Sequence, residues 1–205
     1  MTKSGYNILT SFVLTMAVIQ APLIYYYTFG MSGLVITGLF GFIGFALTMW
    51  LLSGVLNNAN SQVTKFQKWG VILTIAIGST SLFLGESVTE KLDWRLRRNS
   101  REKIVELVKA CKLKPNENYN NSICSLDNWN FPPISNGGNE IVIYKVDSNR
   151  TTVEFFINRG FLDHYSAFIY TDDPEEIKDL EEHMTYEKET QLNKKLDKNW
   201  YRVSY

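Results

Sequence analysis

Three long apolar runs open the chain. "YNILTSFVLTMAVIQAPLIYYYTF" covers about 6–29, "MSGLVITGLFGFIGFALTMWLLSGVL" about 31–56 and "WGVILTIAIGSTSLFLG" about 69–85. The first two exceed the roughly 20 apolar residues a helix needs to cross the hydrocarbon core, and the third lies near the short limit. The pattern predicts three transmembrane helices. The first run is too long for a cleaved signal peptide, contains Tyr25-Tyr26-Tyr27 and lacks a small-x-small site. These tyrosines and Trp69 fall near the predicted helix ends, where aromatic rings favour the headgroup zone. Pro22 predicts a kink in the first helix.

The pattern changes at "GESVTEKLDWRLRRNSREKIVELVKAC", residues 85–111. Gly85 suits the end of the third span, and Ser87 to Glu90 fits a capping box for a new helix. Asn99 to Glu102 offers a second, looser start. Ile104, Leu107, Val108 and Cys111 then recur at helical spacing, which predicts an amphipathic helix to about residue 113, broken near Gly85 or Asn99. A loop follows, "KLKPNENYNNSICSLDNWNFPPISNGGN", and then three strand-like runs: "EIVIYKVD", "TTVEFFIN" and "HYSAFIYT". Their short connections, Ser148-Asn149 and Arg159-Gly160, predict an antiparallel meander. Val142, Tyr144 and Val146 would share one face of the first strand, and Val153, Phe155 and Ile157 one face of the second. Apolar residues also occupy the alternate positions, so both faces of the sheet need cover and the Ile104 helix supplies only one. "TDDPEEIKDLEEHM" reads as a helix start, with Asp173 as N-cap, Pro174 at N1 and Glu175-Glu176 in the first turn. "NWYRVSY" reads as a last strand or strand-like tail.

The fold expected is therefore an α+β membrane protein: a membrane domain over 1–86 and a soluble α+β domain over 87–205, in which an N-terminal amphipathic helix packs on an antiparallel meander. The element order resembles the heads of type IV pilins and pseudopilins over about residues 69–171. No G-F-T-L-x-E processing motif is present and two extra spans precede the helix, so pilus assembly is not implied.

Charge sharpens the division. Up to Gly85 there is no Asp or Glu, and the only basic residues are Lys3, Lys65 and Lys68; the other 18 of 21 basic residues face all 21 acidic ones after that point. A mildly acidic soluble part without a concentrated basic face argues against nucleic-acid binding. With no ionisable group inside any span, ion-coupled transport is disfavoured. Gly33, Gly38, Gly41 and Gly44, with Gly70 and Gly78, permit close helix packing within the bundle or between copies. Lys65 and Lys68 place the second connection inside and the C-terminal domain outside, whereas Lys91, Arg95, Arg97 and Arg98 oppose this. Cys111 and Cys124 suit a disulfide in an oxidising compartment and tip the expectation to a multi-pass cell-membrane protein with an extracytoplasmic domain.

Chemistry is sparse. His164 and His183 belong to no HExxH motif, the cysteines lack zinc spacing, and no GxSxG, SxxK, Walker A or GxGxxG occurs. Helix capping accounts for Asp172, Asp173, Glu175 and Glu176 without calcium. No catalytic residue, metal or cofactor is expected. Apart from the lipid bilayer, the expected partner is an unknown protein, bound without catalysis, with Trp129, Phe131, Phe161, Tyr165 and Tyr170 as candidate contacts. An immunity-type protein that grips a toxin is one specific version. The alternative is a membrane-anchored hydrolase or metal-dependent enzyme using His164 with nearby carboxylates.

Overall fold

The computed structural model describes residues 3–57, 64–126, 132–145, 150–159, 164–186 and 193–205. Among these are four helices and six strands. The chain divides into two compact units: one holds the residues up to Tyr25 with Ser32–Lys91, the other holds Tyr26–Met31 with Leu92–Tyr205.

The first unit is built from α1 (Lys3–Tyr27), α2 (Gly30–Asn57) and the first part of α3 (Lys65–Lys109). All three helices are long and apolar enough to cross a membrane. Phe42, Phe45 and Leu34 on α2 are largely exposed, a pattern that costs free energy in water and none in lipid. Tyr6, Val13, Leu51 and Val71 form the buried cluster that ties the helices together. Small residues set the α1–α3 contact. A Cβ at Gly70 would lie 3.1 Å from the Thr10 methyl, one at Gly78 would lie 3.7 Å from the Ala17 Cβ, and one at Gly85 would collide with the Cβ of Ala21. Gly85 is therefore a packing residue, not a helix terminator. The expected break is absent: α3 runs unbroken for 45 residues through both Gly85 and Asn99, about 68 Å at helical rise. The glycines of α2 behave differently, since a Cβ at Gly38, Gly41 or Gly44 would meet nothing within 4 Å.

In the second unit, the strands form one antiparallel sheet in the order β1-β2-β3-β4-β6-β5. β1 is Ile123–Ser125, β2 Glu140–Lys145, β3 Thr151–Arg159, β4 Tyr165–Thr171, β5 Lys194–Asp197 and β6 Trp200–Ser204. The three expected strands form the meander β2-β3-β4. β1 and β5 are short edge strands inside segments that read as polar loop, where three or four residues give no usable alternation. Helix α4 (Pro174–Tyr186) connects β4 to β5 and starts as expected, with the Glu175 amide donating to the Asp173 carboxylate at 3.1 Å.

Both sheet faces are covered. On one, Trp94 of α3 packs on Phe168 and Trp200 at ring separations of 4.9 and 5.2 Å, above Ile141, Ile143, Val153 and Phe155, which the β2–β3 register places together. On the other, Ile177, Leu180 and Met184 of α4 cover Ala167, Ile169, Tyr201 and Val203. Within the second unit the buried positions of α3 are Asp93, Arg101, Val105 and Val108, while Leu107 and Cys111 are exposed. The amphipathic face expected at Ile104, Leu107, Val108 and Cys111 is thus rotated. Apolar periodicity could not find it, because an arginine holds its centre. Arg101 is only 2% exposed; it pairs with the buried carboxylate of Asp93, and its guanidinium lies 4.7 Å above the Phe168 ring. Asp93 also accepts from the Tyr26 hydroxyl at 2.9 Å and from Arg97 at 3.3 Å. Tyr26 is therefore a structural partner within the second unit, and Tyr25 is buried; of the three tyrosines only Tyr27 is exposed as a headgroup anchor would be.

Candidate functional site

Helix α3 ends in a Schellman motif. The Cys111 amide donates to the Val108 carbonyl and the Lys112 amide to the Leu107 carbonyl, each at 2.9 Å, and Cys111 takes the left-handed position with φ 56°. That turn leaves the Cys111 side chain in solvent, whereas Cys124 is buried in β1. The expected disulfide is not formed, because the helix terminus turns one thiol outward while the strand turns the other into the core.

The candidate partner residues do not form one surface. Trp129, Phe131 and Phe161 lie outside the described residues. Tyr165 and Tyr170, five apart on β4, stand on opposite faces. Tyr170 belongs to the α3 face. Its hydroxyl accepts from Lys109 at 3.0 Å, and its ring packs edge-on against Trp200 at 5.4 Å. Lys109 also pairs with Asp172. Tyr165 belongs to the α4 face and has different company.

The α4 face carries a buried carboxyl that the sequence reading passed over. Glu154 pairs across the sheet with Val142 of β2 and Ile169 of β4 and is 7% exposed. Its carboxylate accepts one hydrogen bond among the described residues, from the Tyr165 hydroxyl at a long 3.5 Å. Among the described residues no Lys or Arg pairs with it, although buried carboxylates ordinarily keep a cation. Burial, with the charge of Glu176 next, pushes the Glu154 carboxyl up to about 7. Burial also raises Glu176, with Asp179 and Asp173 adding to the shift. Around the carboxyl stand Tyr165 and Tyr205, stacked at 4.7 Å, and Tyr144, which is half exposed. Burial and then the nearby Glu154 charge raise all three phenols, so the tyrosines stay neutral. No family model, curated protein or solved structure matches the chain.

The two histidines also come to this cluster. The His164 Nδ1 lies 3.4 Å from the Tyr205 carbonyl, and the His183 ring is centred 6.1 Å from the Tyr205 ring. No described carboxylate bonds to His164, and no group of three metal-ligating side chains occurs among the described residues. The arrangement is an acidic, tyrosine-lined seat: two carboxyls held above their ordinary range, neutral aromatic rings beside them and, among the described residues, no Lys or Arg paired with Glu154. Such chemistry suits a positive group, which would neutralise Glu154 and lie against ring faces. The signal in the sequence was one acid, Glu154, in the otherwise apolar stretch from Val153 to Ile157.

Proposed function

We propose that the protein is a multi-pass membrane protein whose C-terminal domain recognises a cationic side chain, Lys or Arg, of a protein partner at the Glu154 seat, without catalysis. The observation that carries this reading is the buried Glu154 carboxyl, with which no described Lys or Arg pairs. An unpaired carboxyl of this kind is a standing cost to the free protein, and a partner's cation would relieve it. Glu176, Tyr144 and Tyr165 would frame the incoming group, and the stacked Tyr205 would limit its depth. Three apolar helices support membrane anchorage. An extracytoplasmic domain is the sidedness we favour, on Lys65 and Lys68 at the opposite connection. The opposing arginines are partly compensated, Arg97 by Asp93 and Arg98 by Glu102 and Asp197.

The test places a photo-crosslinking amino acid at position 144 of the full chain in native membranes. A single partner should crosslink at pH 8, and both Glu154→Gln and a shift to pH 6 should weaken it about tenfold, the scale of one charge-assisted hydrogen bond. A crosslink indifferent to both changes would sink the proposal. His164→Ala should leave the crosslink intact; a cellular phenotype lost in that variant at normal protein level would instead favour catalysis.

A further inference from the structure

Between α1, α2 and α3, within the first unit, lies a cavity of about 380 Å³, a volume in the range of small-molecule sites. Its walls are apolar, from Val13 and Met16 on α1 to Phe45 and Leu52 on α2 and Leu82 on α3. Gly41 and Gly44 line it too, and a Cβ at either would meet nothing within 4 Å. The glycines alone would mean little. Gln20, which lines the cavity, means more. It is 7% exposed, and its Nε2 donates to the Gly78 carbonyl at 3.1 Å, but its carbonyl oxygen accepts from no group among the described residues. Thr48 and Ser79 also line the cavity, and neither hydroxyl bonds back to its own helix, as those of Thr10, Thr74 and Thr89 do. Polar atoms without partners are costly among apolar helices.

We infer that this cavity is a binding site for a neutral lipid with one long apolar chain and an uncharged hydrogen-bond donor, of the fatty-alcohol or fatty-amide class. The donor meets the Gln20 carbonyl, Thr48 and Ser79 flank it, and the chain fills the space beside Gly41 and Gly44. A charged headgroup is excluded by the walls, since no ionisable residue lines the cavity. The site is separate from the Glu154 seat and does not depend on it.

The experiment uses the full chain in detergent micelles with a diazirine-bearing long-chain alcohol and the matching alkane. The alcohol should label peptides of α2 and α3 saturably and be competed by unlabelled oleyl alcohol. Gly44→Leu, whose side chain enters open space, should remove most of the labelling while the helical thermal transition stays in place. Gln20→Leu should weaken the alcohol about three- to tenfold, the worth of one hydrogen bond, and leave the alkane unchanged. Because Gln20→Leu also removes the Gly78 contact, Thr48→Val provides a second polar deletion with the same expected direction. Non-saturable labelling, equal affinity for alcohol and alkane, or full labelling of Gly44→Leu would overturn the assignment and leave only bulk lipid against the helices.

Discussion

At the scale of single residues, two positions carry a cost that the fold tolerates. Glu154 titrates near 7 in place of the ordinary carboxyl range. A carboxyl raised on folding binds its proton more tightly in the native state, so its contribution is fully present below the unfolded pKa and is lost as pH rises through the folded one. Stability from this group should fall between about pH 4.5 and pH 7, against Glu176, Tyr144, Tyr165 and Tyr205 as its titratable neighbours. Glu154→Gln should flatten that dependence and stabilise the domain at pH 8 more than at pH 5, by up to about 3 kcal/mol; thermal denaturation at the two pH values checks it. Cys111 is the second position. A non-glycine residue in the left-handed conformation costs about 1–2 kcal/mol, so Cys111→Gly should stabilise the domain by roughly 1 kcal/mol. A chain in which Cys111 were joined to Cys124 would lose stability on the same change, so one melting curve separates the two states.

At the scale of elements, α3 answers to two sets of contacts. Its first part presents Gly70, Gly78 and Gly85 to α1. Gly85→Leu should separate the two helices and cost about 1–3 kcal/mol as overpacking, read as loss of resistance to unfolding in mixed detergent micelles. Gly38→Leu, which meets open space, should cost little in the same assay. The second part of α3 sits on the sheet through Trp94, Arg101, Val105 and Val108. Removing Asp93 alone leaves Arg101 buried without its counter-charge, which should cost about 3–5 kcal/mol. Asp93→Leu combined with Arg101→Met should recover much of that loss, because two apolar side chains bury without desolvating a charge. The double-mutant cycle by chemical denaturation measures the coupling.

At the scale of the whole molecule, charge and hydropathy divide the chain between two environments. Alkaline carbonate washing should leave the protein in the membrane pellet, and its release would end the transmembrane reading. Sidedness is testable through Cys111, whose exposed thiol needs no reductant to react. With the domain outside, a membrane-impermeant maleimide should label Cys111 on intact cells and added protease should reach the domain. Labelling only after lysis, with a protected domain, would place the domain inside. Cys124 should resist the reagent until the domain is unfolded.

Three long apolar helices, the meander β2-β3-β4, the α4 start at Asp173 and the need for cover on both sheet faces were legible in the sequence, because each depends on a local period or a capping pattern. Gly85 read as a terminator, since a glycine after an apolar run is locally indistinguishable from one that lets α1 approach. The buried face of α3 was hidden by Arg101, whose place in the core exists only because Asp93, two helical turns earlier, and the Phe155 and Phe168 rings neutralise and cover it. Cys111 and Cys124 are close in sequence, but a Schellman turn and a strand send them to opposite environments. The Glu154 seat was closed to local reading for the same reason. Its tyrosines come from β2, β4 and the end of the chain and its second acid from α4, so only the tertiary structure brings them together, while local propensity fixes no more than the elements that carry them.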